Sequence, residues 1–170
     1  KKERSLRPRA LVKLPHRKLA GLVRSSGYFN QKARRLKIFV SYLMARYSGD
    51  MRRMKRHSFS TVRGELLDLS GIGPETADSI LLYALEKPIF VVDAYTRRVL
   101  ARHSLISWEA SYDQIQALFM QNLPLKTQLF NEYHALLVAL GKQLCLKKRP
   151  KCHLCPLRNV GKLRLEPEAF

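Results

Sequence analysis

The sequence predicts an all-α protein, and two observations support that fold class. Roughly eight segments carry apolar residues at the three- and four-residue spacing of one helix face. The short apolar run at residues 89–92 follows a proline, and no second run is placed to pair with it as a strand. At 170 residues and 46% hydrophobic content, the chain can bury the core of one ordinary domain or of two small lobes.

The N-terminal third predicts short helices followed by one long helix. Two prolines restrict residues 1–15 to a short helix at most, and a second helix is expected over residues 16–25. After a turn that begins with a glycine, Asn30 is a candidate N-cap for a long amphipathic helix. The polar, basic stretch at residues 48–58 is expected to form a surface loop.

The centre of the chain predicts two helices joined by a tight turn. A helix is expected over residues 59–69, and a Gly71-Ile72-Gly73 turn follows it. Glycine tolerates positive φ and lets a ligand approach the backbone, and the N–H groups at a helix N-terminus attract phosphate. Pro74 suits the first turn of the second helix. That helix is expected to bury four apolar residues on one face: Ala77, Ile80, Leu81 and Ala84.

The C-terminal half predicts three further helices. Asp93 precedes the first of them, at residues 94–103; it is a candidate N-cap and, as an acid beside buried apolar residues, a candidate for chemistry. Both interpretations stay open. Ser111 is a candidate cap for the next helix. A long helix over residues 128–145 contains His134, which we interpret as a hydrogen-bonded core histidine.

The charge balance favours a polyanionic partner. The chain has 32 Lys and Arg against 13 Asp and Glu, a net charge of +19, and the basic residues are spread along its whole length. No apolar run approaches the roughly 20 residues that span a bilayer. No apolar region follows the N-terminal charges, as it would in a secretory signal. These features predict a cytoplasmic, nucleoid-associated protein.

The three cysteines cluster near the C-terminus at positions 145, 152 and 155. So few cysteines, so close together, do not indicate a disulfide framework in a chain of this size. Their spacing favours ligation of a metal or a metal cluster by Cys145, Cys152 and Cys155.

Three motifs together resemble the helix-hairpin-helix DNA glycosylases of the endonuclease III superfamily. They are the hairpin LSGIGPETA, the segment VVDAYTRRV and the cysteine-bearing tail, and the resemblance covers nearly the whole chain in order. It implies a helical domain over residues 1–125, with the helix-hairpin-helix at residues 66–82, and a C-terminal lobe over residues 126–170. It also implies a monomer that acts on double-stranded DNA.

The resemblance implies roles for individual residues. Asp93 stands where the family has its catalytic carboxylate, which stabilises an oxocarbenium-like transition state. Glu75 stands where bifunctional members carry a lysine that forms a Schiff base, and a carboxylate cannot form an imine. The chain is therefore nearest the monofunctional 3-methyladenine glycosylases, and Glu75 is a candidate for recognition of a cationic alkylated base. The competing interpretation is that Glu75 only favours the N-terminus of its helix.

The same resemblance implies contacts to DNA from six residues: Gly71, Ile72, Gly73, Thr76, Lys32 and Arg97. For Lys32, the competing interpretation is a cation on a solvated helix face. The implied function is excision of a damaged base that has been flipped out of the duplex. Two alternatives stay open: a bifunctional glycosylase and apurinic lyase that uses another lysine, and an inactive hairpin module that only binds DNA.

The chain departs from the family pattern in two places. The cysteine tail matches the first three ligands of the family's iron–sulfur loop, but Gly161 stands where the fourth cysteine is expected. Three outcomes stay open: a [4Fe–4S] cluster with a non-cysteine fourth ligand, a three-iron cluster, or a loop without metal. In addition, nothing in residues 1–15 matches the helix with which family members begin.

Overall fold

The computed structural model describes residues 7–160, and every regular element in that range is helical, which confirms the all-α fold class. Residues 1–6 and 161–170 lie outside the described part, and with them the predicted cluster position at Gly161. Nine α-helices occur in the described range: α1 (Pro8–Lys13), α2 (His16–Leu22), α3 (Phe29–Tyr47), α4 (Met51–Lys55), α5 (Phe59–Leu67), α6 (Pro74–Ser79), α7 (Ala94–Arg102), α8 (Tyr112–Asn122) and α9 (Thr127–Gln143). Short 3₁₀ turns occupy Arg24–Ser26 and Cys152–Leu154.

The described part of the chain forms two compact units, which divide between Glu86 and Lys87. The family resemblance implies a different division, after residue 125, which separates the hairpin and the Asp93 segment from the cysteine loop. That division stays a prediction. None of the helices within residues 7–160 is long and apolar enough to cross a membrane.

The first unit is organised around the long helix α3, which packs against α1, α2 and α4. The buried apolar side chains of this unit include Leu19, Ala33, Val40, Leu43, Met54, Val62, Leu66, Leu81 and Leu82. Glu65 of α5 ties the two halves of this unit together, because it accepts hydrogen bonds from the hydroxyl groups of Tyr42 (2.6 Å) and Tyr47 on α3.

Two expectations for the first unit were wrong. Asn30 does not cap α3, because Tyr28 adopts a left-handed conformation (φ 46°) and the helix begins one residue later, at Phe29. The predicted loop at residues 48–58 contains α4, whose N-terminus is capped by Asp50 through its bond to the Arg52 N–H. A single fully buried apolar residue, Met54, anchors this helix, and one such residue is too few to produce a periodic sequence pattern.

The second helix of the hairpin also differs from the expected pattern. It leaves α geometry after Ser79 and continues as a π-helical turn over Ile80–Ala84. A π turn contains an extra residue, so the inward-facing position moves along the chain. Leu85 is fully buried, whereas Ala84, which was predicted to face the core, is exposed.

The second unit is built on the pairing of α7 with α9. A Cβ atom at Gly141 would lie 2.5 Å from the Tyr95 ring, so only glycine permits this close approach of the two helices. Three aromatic rings extend the core: Phe90 stacks on Phe119 at 3.6 Å between centroids, and Phe130 meets Phe90 edge-on.

Residues 89–92 are buried but do not form a strand, as predicted. Their backbone groups bind side chains of α8 instead. Gln116 donates to the Phe90 carbonyl at 2.6 Å, and the Tyr112 hydroxyl accepts from the Val92 N–H at 3.4 Å. This extended segment leads directly to Asp93 at the start of α7.

Candidate active site and DNA-contact residues

The predicted hairpin connects α5 and α6 in the first unit. Gly71 has φ +83°, a conformation that side chains rarely adopt, and the Ile72 N–H donates to the Leu69 carbonyl at 2.9 Å. Ile72 is 6% exposed and so anchors the tip of the turn in the core. Pro74 occupies the start of α6, as the sequence indicates.

A cation that sequence analysis did not single out lies against this turn. A Cβ atom at Gly71 would stand 3.1 Å from Nε of Arg35, whose side chain extends from α3. Arg35 is exposed, so its guanidinium remains accessible to solvent beside the turn. The sequence signal for it is weak, because Arg35 is one of several cations along α3.

A buried ion pair braces the hairpin. Arg63 of α5 forms a two-pronged bond with Asp78 of α6, with Nε at 2.8 Å from Oδ1 and Nη2 at 3.2 Å from Oδ2. The Asp78 side chain is fully buried and that of Arg63 is 23% exposed. This geometry fixes the angle between the two hairpin helices.

The other predicted contact residues of the first unit lie on its surface. Glu75 and Thr76 are exposed in the first turn of α6. Lys32 is also exposed, and its ammonium donates to the carbonyl of Ser26. Contacts from these residues to DNA or to a base stay predictions.

Asp93 lies in the second unit at the N-terminus of α7. Its Oδ1 accepts a hydrogen bond from the Thr96 N–H at 2.7 Å, which confirms Asp93 as the N-cap of α7. Its side chain is 12% exposed. The carboxylate is therefore held in one orientation, with Oδ2 left for a second interaction.

His134 of α9 supplies that second interaction. Its Nε2 lies 3.5 Å from Oδ2 of Asp93, and its side chain is 11% exposed. The sequence interpretation of His134 as an ordinary core histidine missed this pairing. Only the packing of α7 on α9 brings the two residues together, and no local sequence signal reports it.

The surroundings of Asp93 keep its carboxyl group ionised. Burial raises the pKa of Asp93, but the close contact with His134 and the hydrogen bond from Thr96 outweigh burial and hold the pKa below its ordinary value. An anionic carboxylate at neutral pH can stabilise positive charge that develops on a bound sugar.

Arg97 is part-buried, and its guanidinium donates to the Ala110 carbonyl within the second unit. This bond anchors the connection between α7 and α8. A contact from Arg97 to DNA stays a prediction.

Two arginines one helical turn apart on α7 bind the backbone of the cysteine loop. Arg98 donates to the carbonyls of Gly141 (2.9 Å) and Cys145 (2.8 Å). Arg102 donates to Sγ of Cys145 at 3.3 Å and to the carbonyls of the next two residues. The same helix that presents Asp93 therefore also positions the loop.

The three cysteines are free thiols that line a single pocket in the second unit. Within residues 7–160, no three His, Cys, Asp or Glu side chains stand close enough together to hold a metal ion. Cysteine thiolates are the side chains that bind iron–sulfur clusters in proteins.

Comparison with known proteins assigns the family. Residues 2–125 match the HhH-GPD superfamily of base excision DNA repair proteins. The chain belongs to this superfamily. It is also 43% identical over 144 residues to the putative DNA repair glycosylase MJ1434 of Methanocaldococcus jannaschii, a match that covers 84% of this chain and 64% of that protein.

Other members of the superfamily are similar over most of the chain. Endonuclease III of Bacillus subtilis is 26% identical over 154 residues, which cover 91% of this chain and 66% of that protein. Among solved structures, a non-covalent endonuclease III–DNA complex is 25% identical with a TM-score of 0.75, over 94% of this chain and 70% of that one. The H. pylori 3-methyladenine DNA glycosylase (MagIII) bound to 1,N6-ethenoadenine is 31% identical with a TM-score of 0.66. The match covers 80% of this chain and 67% of that one. The chain spans slightly less than two thirds of the length of the MJ1434 protein and of Bacillus subtilis endonuclease III.

Proposed function

We propose that this chain carries the core of a monofunctional DNA N-glycosylase that excises a damaged base. The observation that supports this most directly is the buried Asp93 carboxylate, held by Thr96 and His134 and kept ionised at the N-terminus of α7. Asp93 also stands where the superfamily has its catalytic acid. At this position the chain therefore has a side chain with the negative charge that the proposed reaction requires.

The proposed chemistry is hydrolysis of the N-glycosidic bond. As the bond between C1′ and the base nitrogen breaks, its electron pair leaves with the base and positive charge builds on the sugar. The Asp93 carboxylate stabilises that charge. Water then forms the new bond to C1′ and loses one proton. A cationic alkylated base leaves as the neutral base and the proton passes to solvent, whereas a neutral lesion base leaves as an anion and takes up a proton. The products are the free base and an abasic site in an intact strand.

The base must leave the duplex before this reaction, so the protein must hold the DNA backbone firmly. We propose that the turn at Gly71 and Gly73 binds a phosphate through its backbone amides, with Arg35 beside it. The net charge of +19 supports a strong, salt-dependent attraction to DNA. Related structures that contain endonuclease III bound to DNA are consistent with this assignment.

The assignment to monofunctional chemistry depends on Glu75. This residue is a carboxylate where a lyase would carry an amine, and only an amine can condense with the sugar aldehyde. An exposed acid in this position would also attract a cationic alkylated base. The similarity to a glycosylase bound to 1,N6-ethenoadenine supports a modified purine as the substrate.

We also propose that the cysteine loop holds an iron–sulfur cluster. Cys145, Cys152 and Cys155 line the same pocket, and Arg102 donates to the Cys145 sulfur. Clusters of this kind bind through cysteine thiolates and can carry electrons when bound. The hydrolysis proposed for Asp93 does not involve the cluster.

The proposed function is tested with duplexes that carry 1,N6-ethenoadenine, 3-methyladenine, an oxidised pyrimidine or a mismatch. Base release and strand nicking are scored separately. We expect release of an alkylated base without nicking, and no covalent adduct after borohydride treatment. Nicking together with a trapped adduct would establish the bifunctional alternative, and DNA binding without base release would establish the inactive module.

A further inference from the structure

We propose that His103 is the fourth protein ligand of an iron–sulfur cluster that is also bound by Cys145, Cys152 and Cys155. The inference rests on the cofactor proposed above and extends it to a residue outside the cysteine motif. All four side chains line one pocket in the second unit. The chain lacks a cysteine at position 161, and His103 offers a ligand from a different element.

The hydrogen bond of the His103 ring leaves the correct nitrogen available. Nδ1 lies 2.7 Å from the backbone carbonyl oxygen of Val160. A carbonyl oxygen can only accept, so Nδ1 carries the hydrogen and Nε2 of the neutral ring keeps its lone pair. Histidines that bind metals commonly donate their other N–H to a carbonyl in this way, because the bond fixes both tautomer and ring orientation.

The position of His103 in the fold also suits a ligand. It lies at the C-terminus of α7 and is 5% exposed. The preceding residue, Arg102, donates to Sγ of Cys145 at 3.3 Å. Arg102, the last residue of α7, and His103, which caps the helix, therefore line the same pocket as the three cysteines.

The bond to Val160 connects His103 to the end of the loop. Val160 immediately precedes the position at which the family pattern has its fourth cysteine. The imidazole is thus tied to the segment that would otherwise supply the missing ligand. A [4Fe–4S] cluster with one histidine satisfies all four irons with residues of this chain.

A second histidine provides a matched control. His153 lies between Cys152 and Cys155 in the 3₁₀ turn and is exposed, so it is near the loop without facing the protein interior. If proximity to the cysteines were enough, His153 would serve as well as His103. The two histidines therefore separate ligation by geometry from ligation by sequence position.

The experiment uses the full chain, purified and reconstituted with iron and sulfide under anaerobic conditions. Wild type is compared with His103→Ala, His103→Cys and His153→Ala. Iron, sulfide and zinc contents, the reduction potential and the nitrogen hyperfine coupling of the reduced cluster are measured. Thermal unfolding monitors folding, and base release from a lesion duplex is measured on the same samples.

We expect wild type and His153→Ala to hold about four irons and four sulfides per chain, and His103→Ala to drop to about three irons or lose the cluster. His103→Cys should restore four irons with a lower reduction potential, because histidine ligation raises the potential of iron–sulfur centres. Nitrogen coupling should be present in wild type and absent from His103→Cys. The cysteine variant keeps the test decisive even where the alanine variant folds poorly.

Unchanged iron content, potential and nitrogen coupling in both His103 variants would overturn the proposal. Loss of the cluster in His153→Ala alone would overturn it too, as would binding of one zinc ion or of no metal by wild type. Base release that persists without a cluster would leave the glycosylase proposal standing. Failure of base release with an intact cluster would overturn the glycosylase proposal and leave the cluster proposal standing.

Discussion

His134 on α9 places its Nε2 atom 3.5 Å from the Oδ2 atom of Asp93, while the Thr96 N–H binds Oδ1 at 2.7 Å. Each oxygen of the carboxylate thus has its own partner, one from the backbone of α7 and one from a side chain of α9. The pairing joins the two principal helices of the second unit at the proposed catalytic acid. It accounts for both the orientation and the ionisation of Asp93.

Replacing His134 by Ala should raise the pKa of Asp93, because burial of the carboxyl remains while the favourable contact with His134 is lost. The acid limb of the pH–rate profile for base release should move to higher pH. His134→Gln keeps a donor and should restore part of the shift, whereas His153→Gln should leave the profile unchanged. A profile that is identical in wild type and His134→Ala would show that His134 does not act on Asp93.

The same pair makes a prediction about stability and pH. The folded-state pKa of Asp93 is lowered, so ionised Asp93 stabilises the fold fully above the ordinary aspartate value of about 3.9. This contribution is lost as the pH falls through the lower folded-state pKa. In His134→Ala the folded-state pKa lies higher, so the contribution of Asp93, and the stability lost on acidification, should be smaller. Urea unfolding between neutral and acidic pH measures it, and parallel curves for the two proteins would contradict the account.

Asp78→Ala should destabilise the first unit by about 3 kcal/mol, because it removes the buried carboxylate that binds the part-buried Arg63 guanidinium. The free energy of unfolding in urea measures the effect. Lys55→Ala removes the exposed pair with Glu86 and serves as the control, for which we expect no measurable change. Equal effects of the two substitutions would mean that the buried pair does not brace the hairpin.

Gly71→Ala should cost about 1–2 kcal/mol of stability, because alanine rarely adopts the left-handed conformation. The new Cβ atom would also press on Arg35, so DNA affinity should fall as the turn distorts. Gly64 lies inside α5 with open space around its Cα, so Gly64→Ala should be neutral or stabilising, by up to about 1 kcal/mol. Calorimetry and DNA titration test both variants. A Gly71→Ala protein with wild-type stability and affinity would contradict the proposed role of the turn.

Much of the fold could be predicted because its signals are local. The hairpin glycines, Pro74 and the capping box of Ser111 with Gln114 each act within a few residues, and the cap at Ser111 is confirmed. The start of α3 and the presence of α4 could not be predicted in the same way. They depend on the positive φ of Tyr28 and on the burial of Met54, which tertiary packing decides.

The candidate site was only half visible in the sequence. Asp93 could be singled out because it follows a buried apolar run and precedes a helix, and the sequence motif placed it in a known family. His134 lies on another helix. It meets Asp93 only because α7 packs closely on α9, an approach that Gly141 permits against the Tyr95 ring. Arg35, Arg102 and His103 were missed for the same reason, because their roles arise from contacts between distant parts of the chain.

The most direct test of the central claim is single-turnover base release by Asp93→Asn on a duplex with an alkylated purine. Asparagine still caps α7, so the variant should fold and bind DNA as wild type does. We expect the rate of base release to fall by about 100- to 1,000-fold, since the charge that stabilises the transition state is lost. Asp113→Asn, in the exposed first turn of α8, should release the base at the wild-type rate. An Asp93→Asn protein that keeps the wild-type rate would contradict the account.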